Sequence, residues 1–283
     1  MNDDVPQSTG RNVVERFDRA VDAYVEQQQS PLGRLRNEAI FHHLSAHLPE
    51  TAFDVIDVGS GLGEISLRLA SWGAVAALVD PSAGMMARAQ TLAEQQLSPE
   101  ARARVHFATG TLDDLVSEWR DRRFAVVLCH NTIEYMPDEK EAWRALAALV
   151  APGGLLSVVV PNRFSTAVGL AIRGLIPRAR EAIQGALGEP DMTIGVRRRL
   201  YDIPTIVGSM QANGIEPIAV RGVRVFADLM PQQILEQDLE SAIALDVEAG
   251  AQEAYVGSAK FLHVLGRPGH AAAPTGRIPR RVQ

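Results

Sequence analysis

Residues 54–70 read DVIDVGSGLGEISLRLA. A short apolar burst over Phe53–Val58 ends in the run Gly59-Ser60-Gly61-Leu62-Gly63, and a helical period follows from Leu62 to Trp72. The burst has the length and β-branched content of a buried strand. Glycines are required where main chain turns sharply from strand to helix and lets a ligand come close.

The same alternation continues downstream. Val75–Asp80 reads as a second strand, and Pro81-Ser82 opens a helix with Met86, Ala89 and Ala93 on one face. Val105–Ala108 is a weaker strand and Phe124–Cys129 a strong one, followed by a helix from about Asp138 to Val150. Pro152-Gly153-Gly154 marks a turn before the strand Leu155–Val160. Strand and helix in this order predict an α/β fold: a mostly parallel sheet with helices on both faces.

Upstream, Val13, Phe17, Val21 and Val25 recur about every fourth residue, and Pro31 and Gly33 split the stretch into two expected helices. Residues 1–50 are expected to be an N-terminal helical cap, and 51–265 the main domain with a helical lid insertion at about 163–200. The core resumes with a helix near 203–213, a strand Ile215–Phe226, a helix near 231–248 and a last strand Lys260–Leu265. Residues 266–283 are expected to form a disordered tail.

Composition narrows the class. With 46% hydrophobic and 22% charged residues among 283, the chain is too apolar to be disordered. No uncharged stretch is long enough to span a bilayer, so no membrane partner is expected. The single cysteine, Cys129, excludes a disulfide framework and a thiolate metal cluster, and no metal is expected. The start MNDDVPQSTGR lacks the order of a signal peptide, which leads to the expectation of a soluble cytoplasmic protein. Net charge is −6, which argues against coating nucleic acid through bulk charge. Only two basic residues are lysines, Lys140 and Lys260, so any cationic patch is made of arginine.

The glycine run departs from the dinucleotide pattern G-x-G-x-x-G, because its third glycine falls at Gly63 and position 64 is Glu64. Glu64 and Asp57 beside the turn would repel a pyrophosphate. A ligand without phosphate, such as S-adenosylmethionine with its sulfonium and amino-acid end, suits such a turn. Asp80 closes the second strand 23 residues after Asp57, where an acid can accept both ribose hydroxyls. Taken singly, the turn can also be purely structural and Asp80 a helix cap.

VIDVGSGLGE, LVDPSAGMMARA, LCHNTIEYMPD and LVAPGGLLSVVVPN resemble, in order and spacing, the motifs of class I S-adenosylmethionine-dependent methyltransferases over roughly residues 50–162. That resemblance implies a Rossmann-like seven-stranded sheet with one antiparallel edge strand. RFDRAVDAYV, GRLRNEAIFHHL, RGVRVFADL and KFLHVLGR extend the similarity to the bacterial tRNA 5-carboxymethoxyuridine methyltransferases, which esterify the carboxylate of a modified wobble uridine. By this resemblance Arg36 grips the cofactor carboxylate. Gly59 and Ser60 match the glycine turn, Asp80 the ribose acid and His130 a histidine after strand four, while Thr111 to Asp113 fall near the adenine. The expected cofactor set is Arg36, Asp57, Gly59, Ser60, Gly61, Gly63, Asp80, Pro81, Met85, Thr111, Leu112, Asp113 and His130.

Methyl transfer from a sulfonium is an in-line displacement, for which positioning can supply about 7–11 kcal/mol. A carboxylate acceptor, with a pKa of about 4, is already ionised and needs a positioning cation, whereas a phenol, amine or alcohol would call on a base. Arg197, Arg198, Arg199, Arg224 and Lys260 are the candidate cations. Asn131, Glu134 and Tyr135 follow strand four, and Asn162 follows strand five, on the edge where α/β ligands bind. His130, Tyr135, Arg199 and Arg224 are the expected catalytic residues, with Tyr135 stacking on a base or lining an apolar pocket. The expected partner is a methyl acceptor, either the tRNA anticodon loop or a small molecule of specialised metabolism.

Overall fold

The computed structural model describes residues 10–112, 114, 122–184, 195–196 and 198–269. Three helices open the chain: α1 (Gly10–Arg19), α2 (Val21–Gln29) and α3 (Pro31–Ser45). The first expected helix is thus broken once more, at Ala20. The break before α3 is as the sequence predicts: Pro31 sits in its first turn and Ser30 Oγ accepts from Gly33 N. Gly33 is required because a Cβ there would run into the main chain of Gln27 and Gln28, so α2 folds back closely on α3.

Next come β1 (Asp54–Val58), α4 (Glu64–Ser71), β2 (Val75–Asp80), α5 (Ala83–Gln96), α6 (Pro99–Arg102), β3 (Val105–Thr109) and β4 (Phe124–His130). They are followed by α7 (Glu139–Leu149), β5 (Val150–Pro161), and two helices in the stretch expected to be an insertion, α8 (Arg163–Ile172) and α9 (Ile176–Ile183). The chain then returns through α10 (Ile203–Ala212), β6 (Ile215–Val223), α11 (Gln232–Gln237), α12 (Leu239–Gly250), α13 (Glu253–Val256) and β7 (Phe261–Pro268).

The seven strands lie in the order β3-β2-β1-β4-β5-β7-β6. All are parallel except β7, which runs antiparallel to both β5 and β6. The antiparallel strand is therefore not at the edge as expected: β7 slots between β5 and β6, and β6 forms the edge. Apolar side chains cover both faces. Val55, Leu78, Val126, Leu128 and Val159 meet Ile40 and Leu44 of α3 and Leu67 and Leu69 of α4. On the other face Ile56, Val127, Cys129 and Val158 meet Trp143 and Leu146 of α7 and Met210 of α10.

Several boundaries differ from the sequence reading for local reasons. β5 begins at Val150, because the Pro152-Gly153-Gly154 turn is absorbed as a register shift in which Phe124 faces Val150 and Val126 faces Leu155. β6 stops at Val223 instead of Phe226, since Arg224 takes a left-handed conformation (φ 58) and Asp246 accepts from the main-chain N–H of Arg224 and Val225. The helix expected near 231–248 is broken at Asp238, which caps α12 by accepting from Ser241 N. The expected tail is shortened: Gly266, Arg267 and Pro268 stay in β7, opposite Pro217, Glu216 and Ile215. Residues 270–283 lie outside the described residues.

Candidate active site

The carboxyl ends of β1, β2 and β4 surround a cavity of about 800 Å³ roofed by α1. Gly59 and Gly61 form its floor, both with positive φ (68 and 54). A Cβ on Gly59 would strike the Thr132 side chain, whose hydroxyl donates to Gly59 O at 3.0 Å and so ties the ends of β1 and β4 together. Gly63 does not line the cavity. It takes the left-handed start of α4, and a Cβ there would strike Leu78 of β2, so this glycine serves close helix–strand contact.

Asp80 lines the cavity at the tip of β2, with both carboxylate oxygens held by main chain: Gly61 N and Ser82 N donate at 2.9 Å each. Burial raises its pKa to about 6. Pro81, Met85, Gly110, Thr111 and Leu112 continue that wall. Thr111 is fixed by Asp114, whose Oδ2 accepts from its N–H and its hydroxyl. Asp113 lies outside the described residues.

The roof is a tertiary contact. Asp18 of α1 accepts from the Ser82 hydroxyl at 2.5 Å and from Gly84 N at 3.2 Å, which docks α1 on the start of α5. Val13, Val14 and Phe17 face the cavity from above. Phe17 meets Tyr24 and Tyr135 edge-on at ring distances of 6.3 and 5.6 Å. Tyr135 thus joins the lining as an aromatic wall.

Arg36 stands behind the glycine turn. Its guanidinium donates to Gln28 Oε1 at 2.8 Å, to Asn37 Oδ1 at 3.0 Å and, at 3.5 Å, to Asn131 Oδ1. It also lies against the Tyr24 phenol, which burial pushes up to about 12. Among the described residues, Gln28 Nε2 and Asn131 Nδ2 beside it are buried with no hydrogen-bond partner, as is Ser60 Oγ in the glycine turn. Two amide donors beside a guanidinium, each costly to leave unmade, match a ligand carboxylate. Tyr24, Gln28 and Thr132 were not singled out from sequence; Tyr24 and Gln28, one turn apart on α2, carry only the weak signal of shared helical spacing. Asn131 holds a left-handed φ of 52, a strained position at the rim.

Asp57 points away from the cavity and accepts from Ser66 Oγ of α4 at 2.6 Å. Burial raises it to about 7. It is a link between β1 and α4, which corrects its expected place beside the cofactor. Ser60 also does not line the cavity wall.

His130 lines the cavity, but its ring is engaged beneath it: Nε2 shares a hydrogen bond of 2.8 Å with Ser157 Oγ, which shares another of 2.8 Å with His263 Nε2. Burial, reinforced by Arg36, lowers His130 to about 3. His263 is also held far below its usual value by burial, so this chain of hydrogen bonds is neutral. Cys129 points to the opposite face and is buried.

The expected acceptor cations are mostly used by the fold. Arg199 donates to Met136 O at 2.6 Å and Pro137 O at 3.0 Å, clamping the loop after β4 instead of facing the cavity. It also lies 3.7 Å from Glu139. Arg224 is chelated by Asp228 and likewise does not reach the cavity. Arg198 and Lys260 do not line it either, and Arg197 lies outside the described residues. Burial lowers the Lys260 ammonium, against a nearby Asp228. Asn162 spends its amide on Gly257 O and Ala259 O (2.8 Å each) and accepts from Phe164 N, so it is a joint between β5 and α8 and offers nothing to the cleft.

Residues 55–154 match a family described as "Methyltransferase domain". The chain is 24% identical over 239 residues to the tRNA 5-carboxymethoxyuridine methyltransferase of Escherichia coli (strain K12), covering 83% of this chain and 88% of that one. It is 32% identical over 148 residues to a ubiquinone biosynthesis O-methyltransferase of Xanthomonas axonopodis pv. citri (strain 306), covering 52% and 58%. The solved structure of magnesium protoporphyrin IX methyltransferase from Synechocystis PCC 6803 shares the fold with a TM-score of 0.56 at 19% identity, over 76% of this chain and 92% of that one.

Proposed function

We propose, from the premise that the chain is a class I S-adenosylmethionine-dependent methyltransferase, that its acceptor presents an already ionised oxygen, a carboxylate. The observation that carries this reading is His130. It is the histidine at the reacting edge, yet its ring is tied to Ser157 and lowered to about 3, which makes it a poor base at neutral pH. A carboxylate asks for no proton to be removed. The similarity to the tRNA 5-carboxymethoxyuridine methyltransferase, which runs over 83% of the chain, supports the wobble-uridine carboxylate as that acceptor.

When bound, S-adenosylmethionine supplies an electrophilic methyl on a sulfonium. Arg36, with Gln28 and Asn131, would hold its carboxylate, and Asp80 would accept from its ribose hydroxyls. Leu112 and Met85, which line the cavity near Asp80, would flank its adenine, while Val13 and Phe17 would exclude water from above. The protein's contribution is alignment and dryness, since an anionic oxygen attacks in line and no proton changes hands.

A small-molecule acceptor is the second reading, favoured by one observation. Arg199 and Arg224, expected to meet an anion, are occupied by Met136, Pro137 and Asp228. The deciding experiment is mass spectrometry of tRNA from a deletion strain. Loss of the methyl ester at the wobble uridine, restored by the plasmid-borne gene, is expected. An unchanged ester ends the tRNA reading.

A further inference from the structure

The helices α8 and α9 carry an apolar surface of which about half or more stays exposed at each large side chain except Phe164, whose ring lies under the Arg163 guanidinium. On α8, Phe164, Val168 and Ile172 recur every fourth residue and are 42%, 49% and 67% exposed. On α9, Ile176 and Ile183, seven apart, are 55% and 54% exposed. Such spacings keep side chains on one face of a helix. The inner faces are already used, since Ala167, Leu170, Ala179 and Ala182 bury against one another where the helices meet. The pair therefore buries mainly alanines and Leu170 between its helices and turns Phe164, Val168 and three isoleucines outward, unlike a helix packed on a core.

Its charge is also opposite to that of the rest of the protein. Residues 163–184 hold four arginines (Arg163, Arg173, Arg178 and Arg180) against the single acid Glu181, in a chain of net charge −6. Arg163 is paired with Asp202, whereas Arg173 directly follows Ile172 and Arg180 stands one turn after Ile176, both exposed. An apolar stripe edged by arginines is the chemistry of a helix lying in the interfacial plane of an anionic bilayer.

We propose that α8 and α9 dock the enzyme on an anionic lipid surface, with the isoleucine stripe entering the acyl boundary and Arg173 and Arg180 meeting headgroup phosphates. Lying on a membrane needs no spanning segment, and no described helix is long and apolar enough to cross one. A second copy fits less well, because stripe-to-stripe pairing would bring two cationic rims together. An RNA would engage the arginines and leave the isoleucines wet. The pair springs from Asn162 at the end of β5, on the same edge of the sheet as the cavity, so docking would bring that edge to the bilayer. The inference concerns where the enzyme works, and it stands independently of the acceptor's identity.

Flotation of the full-length enzyme tests it, with vesicles of phosphatidylcholine alone or mixed with phosphatidylglycerol. The enzyme should float with the mixed vesicles and stay behind with the neutral ones. The double substitution Ile172→Ser with Ile176→Ser should lower partition at least about tenfold, as should Arg173→Glu with Arg180→Glu. Both variants should keep wild-type affinity for S-adenosylmethionine in calorimetry, which shows the cavity folded. Failure to float with mixed vesicles overturns the proposal, as does flotation that ignores the isoleucine change. A dimer in light scattering that the serine variant dissolves, without vesicle binding, overturns it in favour of a second copy. A tRNA gel shift lost on arginine reversal alone, again without vesicle binding, overturns it in favour of RNA.

Discussion

Asp80 sits where two requirements conflict. The two main-chain donors from Gly61 and Ser82 favour the ionised carboxylate, but burial outweighs them and raises the pKa to about 6. Ribose hydroxyls are bound best by the ionised form, so cofactor affinity should strengthen as pH rises through about 6 and weaken below it. Asp80→Asn should abolish that dependence and raise the dissociation constant at least about tenfold at neutral pH, measured by calorimetry. Arg36→Ala should raise the constant comparably in the same titration, because it removes the guanidinium held between Gln28 and Asn131. Asp57 has a different consequence. Its carboxyl is raised from 3.8 to about 7, so the folded state holds a proton that the unfolded chain releases, and stability declines as pH rises from about 4 to about 7. Asp57→Asn should gain stability relative to wild type across that window. A difference that stays constant with pH in urea unfolding would refute the assignment.

Elements are joined by a few contacts whose removal has graded costs. Gly63 and Gly214 share φ 74, but a Cβ at Gly63 would strike Leu78, whereas one at Gly214 would meet nothing within 4 Å. Gly214→Ala should cost about 1 kcal/mol of backbone strain and Gly63→Ala about 2–3 kcal/mol, since overpacking adds to it. Denaturant unfolding of both variants isolates the packing part. Asp18→Ala removes the acceptor that docks α1 on α5; it should cost about 1 kcal/mol and speed proteolysis within residues 10–20. The strand–glycine–helix unit was legible in sequence because its determinants are local: an apolar burst, positive-φ glycines and a helical period. The docking partners of α1 were not, since Asp18 and Ser82 are 64 residues apart. Arg199 shows the same limit in reverse. Its charge predicted an anion partner, and three carbonyls of the loop after β4 took that role, which no spacing rule shows.

At the scale of the molecule, the cavity draws on both the N-terminal helices and the sheet, through Phe17 and Tyr24 on one side and Gly59, Asp80 and Thr132 on the other. A ligand that bridges them should therefore stabilise the whole fold as one unit. At a hundredfold excess over its dissociation constant, S-adenosylmethionine should add about 2.7 kcal/mol to the unfolding free energy. A thermal scan that shows α1 and α2 melting separately with ligand present would contradict that coupling.

The sequence by itself determined the alternation of strands and helices, the glycine turn, the acid at the tip of β2 and the burial of Cys129, because each follows from the periodicity or conformational freedom of neighbouring residues. Tertiary structure alone decided the insertion of β7 between β5 and β6, the roof of α1, the locking of His130 into a chain with Ser157 and His263, the engagement of Arg199 and Arg224 by the fold, and the outward stripe of α8 and α9. Each of these depends on which distant groups come to lie together. A side chain's charge or apolarity is written in the sequence, but the neighbour that satisfies it, or leaves it facing solvent, is fixed only when the chain closes.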